Sequence, residues 1–112
     1  MVTSNVRHQF GRRVATVATK TFNCLIRTAK DGLLRKQSVE FFDISDGMAS
    51  PRRVARLSYN DSISSQQRLD LHDRIVTSID ASGTKGLTLQ ESLQQLFVSL
   101  KRELVGLGTF LV

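Results

Sequence analysis

Side chains that could bind an anion alternate with apolar ones along residues 21–45, TFNCLIRTAKDGLLRKQSVEFFDIS. Successive side chains of a strand point to opposite faces, so a hairpin that reverses at Lys30, Asp31 and Gly32 would sort them onto two faces. The polar face would carry Asn23, Leu25, Arg27, Lys36, Ser38 and Glu40, and the apolar face Phe22, Cys24, Ile26, Val39 and Phe41. The polar face has an excess of positive charge, which suits contacts to phosphate groups.

Residues for catalysis are sparse. His8 and His72 are the only histidines, and no nucleophile elbow, phosphate-binding glycine loop or paired histidines with metal spacing is present. His72 lies beside an apolar stripe, where a packed or half-exposed helix residue is expected. Cys24 is the only cysteine, which excludes an intrachain disulfide and a multi-cysteine metal site. We therefore expect no enzyme, no cofactor, no metal and no small-molecule substrate.

One spacing resembles a calcium-binding loop. Positions 1, 3, 5, 7, 9 and 12 of such a loop correspond to Asp80, Ser82, Thr84, Gly86, Thr88 and Glu91. Lys85, however, stands where the loop needs glycine, and no second loop exists. A capping box, in which Thr88 and Glu91 satisfy each other's backbone N–H groups, accounts for two of the residues without an ion and is favoured.

The charge balance favours a polyanionic partner. Sixteen Lys and Arg residues stand against ten Asp and Glu, giving a net charge of +6. Residues 1–30 contain six basic residues and no acidic one. Such a surplus is most typical of nucleic-acid binding, the alternative being a solubilising charge excess. The acid-free opening also resembles a mitochondrial transit peptide, although we expect it to be retained in the folded protein.

Length and hydropathy indicate one small domain outside the membrane. A chain of 112 residues buries a modest core, which oligomerisation would enlarge. No run of about 20 apolar residues is present, so no transmembrane segment is expected.

The strands that would position the polar face are predicted within residues 12–59. Residues 1–11 are expected to form an arm or turn, and residues 46–51 a loop after the hairpin. Residues 12–20 are predicted to form a strand, the alternative being a helix lined by Val14, Val17 and Ala18. Residues 52–59 alternate as another strand. Its two faces are predicted to carry Ala55, Leu57 and Tyr59 on one side and Arg52, Val54, Arg56 and Ser58 on the other. Arg56 would extend the basic surface.

Two helices are predicted after the strands, at residues 65–79 and 88–105, which gives an α+β fold. The first carries a stripe of Leu71, Ile75, Val76 and Ile79 and is broken by residues 80–86. The second carries Leu89, Leu93, Leu96, Phe97, Leu100 and Leu104 and ends at Gly106 and Gly108. Because a thin sheet offers limited area, we expect the second stripe to pack on something larger than this chain.

The order of these elements, together with the stretches 23–27 (NCLIR), 35–39 (RKQSV) and 64–71 (SSQQRLDL), resembles the coat proteins of single-stranded RNA bacteriophages. The resemblance covers residues 21 to about 82. It implies an intertwined homodimer in which sheets pair edge to edge and each chain's helices pack across the partner's sheet. Dimers would assemble in the host cytoplasm into a T=3 icosahedral virion around single-stranded RNA.

Position by position, the resemblance implies RNA contacts on the polar face. With Arg35 and Arg56 added from the charge pattern, the predicted contacts are Asn23, Arg27, Arg35, Lys36, Ser38, Glu40 and Arg56. Core and dimer packing is predicted for Phe22, Cys24, Ile26, Val39, Phe41, Leu93, Leu96, Phe97 and Leu100. Leu25 and Glu40 depart from the hydroxyl residues and lysine usual in the family. General RNA packaging is therefore implied, but recognition of the family's adenine-bearing hairpin is not.

Three further departures concern assembly. The region before the hairpin is about half the family's usual length, the loop at 46–51 is shorter and the second helix is longer. An alternative of another class is a small basic accessory subunit of an organellar or ribonucleoprotein complex, with residues 1–20 lying along a larger partner.

Overall fold

The computed structural model describes residues 4–9, 12–31, 36–47, 49–59, 64–103 and 108–111. The elements are β1 (Ser4–Gln9), β2 (Arg12–Ala18), β3 (Asn23–Asp31), β4 (Lys36–Asp43), β5 (Arg52–Tyr59), α1 (Ser65–Thr84), α2 (Leu89–Glu103) and β6 (Gly108–Leu111). The strands form one antiparallel sheet in the order β1-β2-β3-β4-β5-β6, so each lies beside its neighbour in sequence. The predicted α+β fold, an antiparallel meander followed by two helices, is confirmed.

The central hairpin has the predicted separation of faces. Ile26 pairs with Phe41 and Arg27 with Glu40 across β3 and β4. Its turn was predicted wrongly, because Asp31 pairs with Lys36 within the ladder. Gly32, the last residue of the predicted turn, lies outside the described residues.

A β-bulge changes the predicted faces of β5. Phe41 pairs with Ala55 but Phe42 pairs with Arg53, which leaves Val54 as the extra residue. A bulge interrupts the strict alternation of side chains. Val54 consequently packs against the core, and Arg53 joins Phe42 on the opposite face. The prediction that Arg52 and Val54 share a face with Arg56 was wrong.

Helix α1 is longer than predicted. Ser64 and Gln67 form a capping box at its start, with the Ser64 N–H donating to Gln67 Oε1 at 2.8 Å and the Gln67 N–H to Ser64 Oγ at 3.1 Å. The helix continues through residues 80–84 and ends at Thr84, with Lys85 as its C-cap. Gly86 follows with a φ of 88°, which suits glycine. The predicted break at residue 80 fails because tertiary packing at Asp80 and Gly83, both buried, outweighs their low helix propensity.

Helix α2 begins after the predicted capping box. The Thr88 N–H donates to Glu91 Oε1 at 3.0 Å, and the Glu91 N–H donates to Thr88 Oγ1 at 3.2 Å. Its apolar stripe is buried within this chain, and the Phe97 ring meets Phe41 edge-on at a centroid distance of 5.6 Å. The expectation that this stripe needs a larger surface was wrong. Leu104 lies outside the described residues.

The sheet gains a strand at each edge that was not predicted. Residues 4–9, expected as an arm or turn, form β1 against β2. Residues 108–111 form β6 against β5. These two strands make the sheet wider than the four strands inferred from the alternation in residues 12–59.

Both helices cover one face of the sheet. Side chains of β2 to β5 and of α1 and α2 belong to a single core cluster. At one end, Arg68 Nη1 in α1 donates to Gln37 Oε1 in β4 at 2.9 Å. At the other end, Thr21 Oγ1 donates to the Leu87 carbonyl at 2.8 Å. Within the described part of the chain, no helix is long and apolar enough to cross a membrane.

Candidate nucleic-acid interface

The face of the sheet opposite the helices is called the outer face here. Strand register and alternation assign it Thr16, Asn23, Leu25, Arg27, Ser38, Glu40, Phe42, Arg53, Arg56 and Ser58. Neither helix covers this face, so its polar side chains are the ones that an external ligand would meet.

The centre of the outer face is a carboxylate held between two arginines. Glu40 Oε1 accepts hydrogen bonds from Arg27 Nη2 at 2.9 Å and from Arg27 Nε at 3.3 Å. Glu40 Oε2 accepts one from Arg53 Nη1 at 3.2 Å. Glu40 is buried at 8% exposure, whereas the side chains of Arg27 and Arg53 are 36% and 52% exposed. The Glu40 carboxylate is therefore largely hidden from solvent, and the two arginines are the exposed members of the cluster.

Electrostatics keep this carboxylate ionised. Burial by itself would raise the pKa of Glu40, but the hydrogen bonds and charges of Arg27 and Arg53 outweigh it and lower the pKa below its ordinary value. The group is therefore a permanent anion at neutral pH and compensates one of the two arginine charges.

An apolar pair lies beside this cluster. Leu25 and Phe42 face each other across β3 and β4, and both are buried although they lie on the outer face. The Arg27 guanidinium carbon lies 4.8 Å from the centre of the Phe42 ring, a cation–π contact. This contact fixes the guanidinium from a second side.

Arg56 supplies a further cation next to the cluster. Arg56 pairs with Glu40 in the β4–β5 register, and Ser58 pairs with Ser38 in the same ladder. Arg56, Ser38 and Ser58 are all half-buried. Together with Arg27, Arg53 and Glu40, Arg56 gives this part of the outer face a net charge of +2. Cations and hydroxyl donors of this kind suit phosphate contacts.

Six of the seven predicted contact residues occupy outer-face positions of the sheet. Asn23, Arg27, Ser38 and Arg56 lie on the outer face, and Glu40 lies there beneath arginines. Lys36 occupies an outer-face position of β4 by register, and Arg35 lies outside the described residues. Arg53 was missed, because strict alternation assigned it to the apolar side of β5 and no sequence signal marked the bulge.

All nine residues predicted to pack are buried in the core that the sheet shares with the helices: Phe22, Cys24, Ile26, Val39, Phe41, Leu93, Leu96, Phe97 and Leu100. Burial raises the pKa of the Cys24 thiol to about 12, which makes it an inert core residue. The packing of this set within one chain is established, and its part in a dimer stays a prediction.

The calcium-loop interpretation fails on geometry. Residues 80–84 are helical, and Asp80 is buried at 4% exposure. Among the described residues, no group of three or more His, Cys, Asp and Glu side chains could hold a metal ion. His72, at 1% exposure, packs inside the protein.

A groove of about 400 Å³ lies on the helix side, between the start of α2, the end of β4 and the start of β5. Asp43 and Arg52 line it and are joined at 3.3 Å. Two hydrogen bonds from Ser45, at 2.6 and 2.9 Å, and the charge of Arg52 lower the pKa of Asp43. Its described lining residues include no histidine, cysteine or lysine.

Comparisons of the chain with protein-family models, with curated proteins and with solved structures found no match. The function is therefore argued from the geometry of the chain itself.

Proposed function

We propose that this chain is a viral coat protein that binds single-stranded RNA through the outer face and assembles into a closed shell. The observation that carries the proposal is the contrast between the two faces of the sheet. One face is sealed by the chain's own helices, and the other presents Arg27, Arg53 and Arg56.

The outer face favours phosphate contacts over base stacking. Among the described residues of this face, the aromatic ring is Phe42, which is buried and covered by Arg27, so it offers no free ring to a base. Phosphate contacts give affinity that falls steeply with salt and depends little on sequence. General packaging of RNA needs this kind of binding.

Assembly is proposed through the edges of the sheet. Strands β1 and β6 are the outermost strands of the described sheet, and an edge strand is a template for pairing with a second chain. The resemblance to phage coat proteins supports edge-to-edge dimers. The apolar stripe of α2 is already buried against the sheet of its own chain. In an intertwined dimer, the same stripe would pack against the partner's sheet instead.

The RNA contact is tested by removing one cation from each side of the molecule. Arg56→Gln removes a cation from the outer face, and the matched control Arg102→Gln removes an exposed one from the last turn of α2. Binding of a short mixed-sequence RNA is measured by fluorescence anisotropy at several salt concentrations. R56Q should weaken binding and reduce the slope of log K against log salt by about 0.7, the value for one phosphate contact on a single strand.

R102Q should retain the affinity and the slope of the unmodified protein. Equal effects of the two substitutions would mean that net charge, and not the outer face, governs the binding. Absence of any RNA binding by the unmodified protein at low salt would overturn the proposed function.

A further inference from the structure

Glu40 is an unexpected residue at the centre of a surface proposed to bind a polyanion. Its charge is negative, and coulombic repulsion alone would weaken the binding of RNA. Its position in the structure offers a reason for its presence, because each of its oxygens holds a different arginine.

The hydrogen bonds leave part of each guanidinium unengaged by Glu40. Arg27 uses Nε and Nη2 on Oε1, which leaves Nη1, and Arg53 uses Nη1 on Oε2, which leaves Nε and Nη2. A guanidinium carries five N–H donors in a planar fork that matches phosphate. The two arginines can therefore keep their carboxylate contacts and still donate to a ligand.

Both arginines are thus oriented before a ligand arrives. The Phe42 ring supports Arg27 from a second side at 4.8 Å. A long side chain that is already ordered loses less freedom on binding, so its contact with the ligand gains affinity.

We propose that Glu40 is a positioning residue that holds Arg27 and Arg53 as a paired guanidinium site for an RNA phosphodiester. The proposal rests on the proposed RNA-binding function and specifies how the outer face achieves it. The carboxylate lowers the net positive charge of the outer face by one unit, but it fixes the orientation of two guanidinium groups.

Glu40→Gln separates positioning from charge, because the two effects have opposite signs. Removing a negative charge should tighten RNA binding if charge alone matters. Glutamine keeps one acceptor oxygen, so the loss of positioning falls on one arginine and should weaken binding by about two- to tenfold, the range for one side chain that must be ordered on binding. Asp43→Asn is the matched control. Asp43 in β4 also pairs with an arginine, Arg52 in β5, but on the helix side of the sheet. D43N should bind as the unmodified protein does.

Two further measurements make the test independent of folding defects. Glu40→Asp keeps the charge but shortens the side chain, so the proposal predicts weaker binding with no change in net charge. Arg27→Gln should also cost less affinity in an E40Q background than in the unmodified protein, since a neutral amide holds Arg27 less firmly than the carboxylate does. Circular dichroism on each variant reports whether it is folded. If Glu40 acted only through the stability of the fold, the effects of E40Q and R27Q on RNA affinity would be additive.

The outcomes distinguish the two proposals. If the unmodified protein binds RNA and R56Q weakens that binding, but E40Q and E40D bind at least as tightly as the unmodified protein, the positioning role is wrong and the proposed function stands. If the unmodified protein binds no RNA, both are wrong.

Discussion

At the scale of single residues, Glu40 links the outer face to the stability of the fold. Its pKa is lowered in the folded protein, because Arg27 and Arg53 favour the ionised form more than burial opposes it. A group whose folded pKa is depressed stabilises the protein above its unfolded pKa and loses that contribution as the pH falls through the folded pKa. Stability should therefore decline on acidification below the ordinary glutamate range, about pH 4.3.

Glu40→Gln tests this linkage. At neutral pH the variant should have a lower free energy of unfolding than the unmodified protein, since the glutamine oxygen accepts from one arginine but its NH2 group cannot accept from the other. The difference should shrink as the pH falls, because protonated glutamate and glutamine are nearly equivalent neutral groups. Urea denaturation between about pH 3 and pH 7 measures it, over the range set by the ordinary carboxyl pKa. A constant difference over that range would show that Glu40 is not stabilised as an anion.

At the scale of elements, the contact between α1 and the turn after β2 explains why the helix continues to Thr84, beyond its predicted end at residue 79. Gly83 lies against Thr19, and a methyl group on Gly83 would overlap the Thr19 side chain. Thr19 has little room to move, because its Oγ1 donates to the Phe22 carbonyl at 3.0 Å and accepts from the Phe22 N–H at 3.1 Å. The glycine permits a close approach of helix and turn.

Gly83→Ala should therefore destabilise the protein. Alanine is favoured over glycine in a helix by about 1 kcal/mol, but overpacking costs about 1–3 kcal/mol and should prevail. Thermal or urea unfolding gives the difference in the free energy of unfolding. In a Thr19→Gly background the same substitution should cost less or stabilise, since the obstructing side chain is gone. A stabilising effect of G83A in the unmodified chain would contradict the contact.

The sequence was most informative where strands alternate regularly. Phe22, Cys24 and Ile26 on one face and Arg27 on the other follow from period two, and the helical stripes follow from period 3.6. Alternation could not reveal the bulge at Val54, because the extra residue is set by pairing with β4.

Local propensity misled elsewhere. Gly83 looked like a helix breaker, but its packing against Thr19 decides the outcome. Residues 4–9 and 108–111 were missed as strands, since their pairing partners, β2 and β5, lie outside each segment. The candidate site was predicted in outline, whereas Arg53 and the buried position of Glu40 required the register of three strands.

At the scale of the whole molecule, the chain combines a self-contained core with an uncovered, arginine-bearing face. The core unites both helices with the sheet, so a single copy can fold without borrowing a surface. In the proposed function, the outermost strands of the described sheet and the net charge of +6 serve assembly around RNA. A basic accessory subunit would instead need a larger partner in order to act. Assembly of the purified protein by itself therefore distinguishes a coat protein from an accessory subunit.

The most direct test is the mass of the purified protein in solution, read together with its absorbance ratio at 260 and 280 nm and electron microscopy of the same fractions. The protein expressed alone should elute as closed particles that contain host RNA, with an absorbance ratio typical of nucleoprotein. Treatment with high salt should release RNA and leave dimers. A nucleic-acid-free monomer at high protein concentration, with no regular particles, would contradict the account.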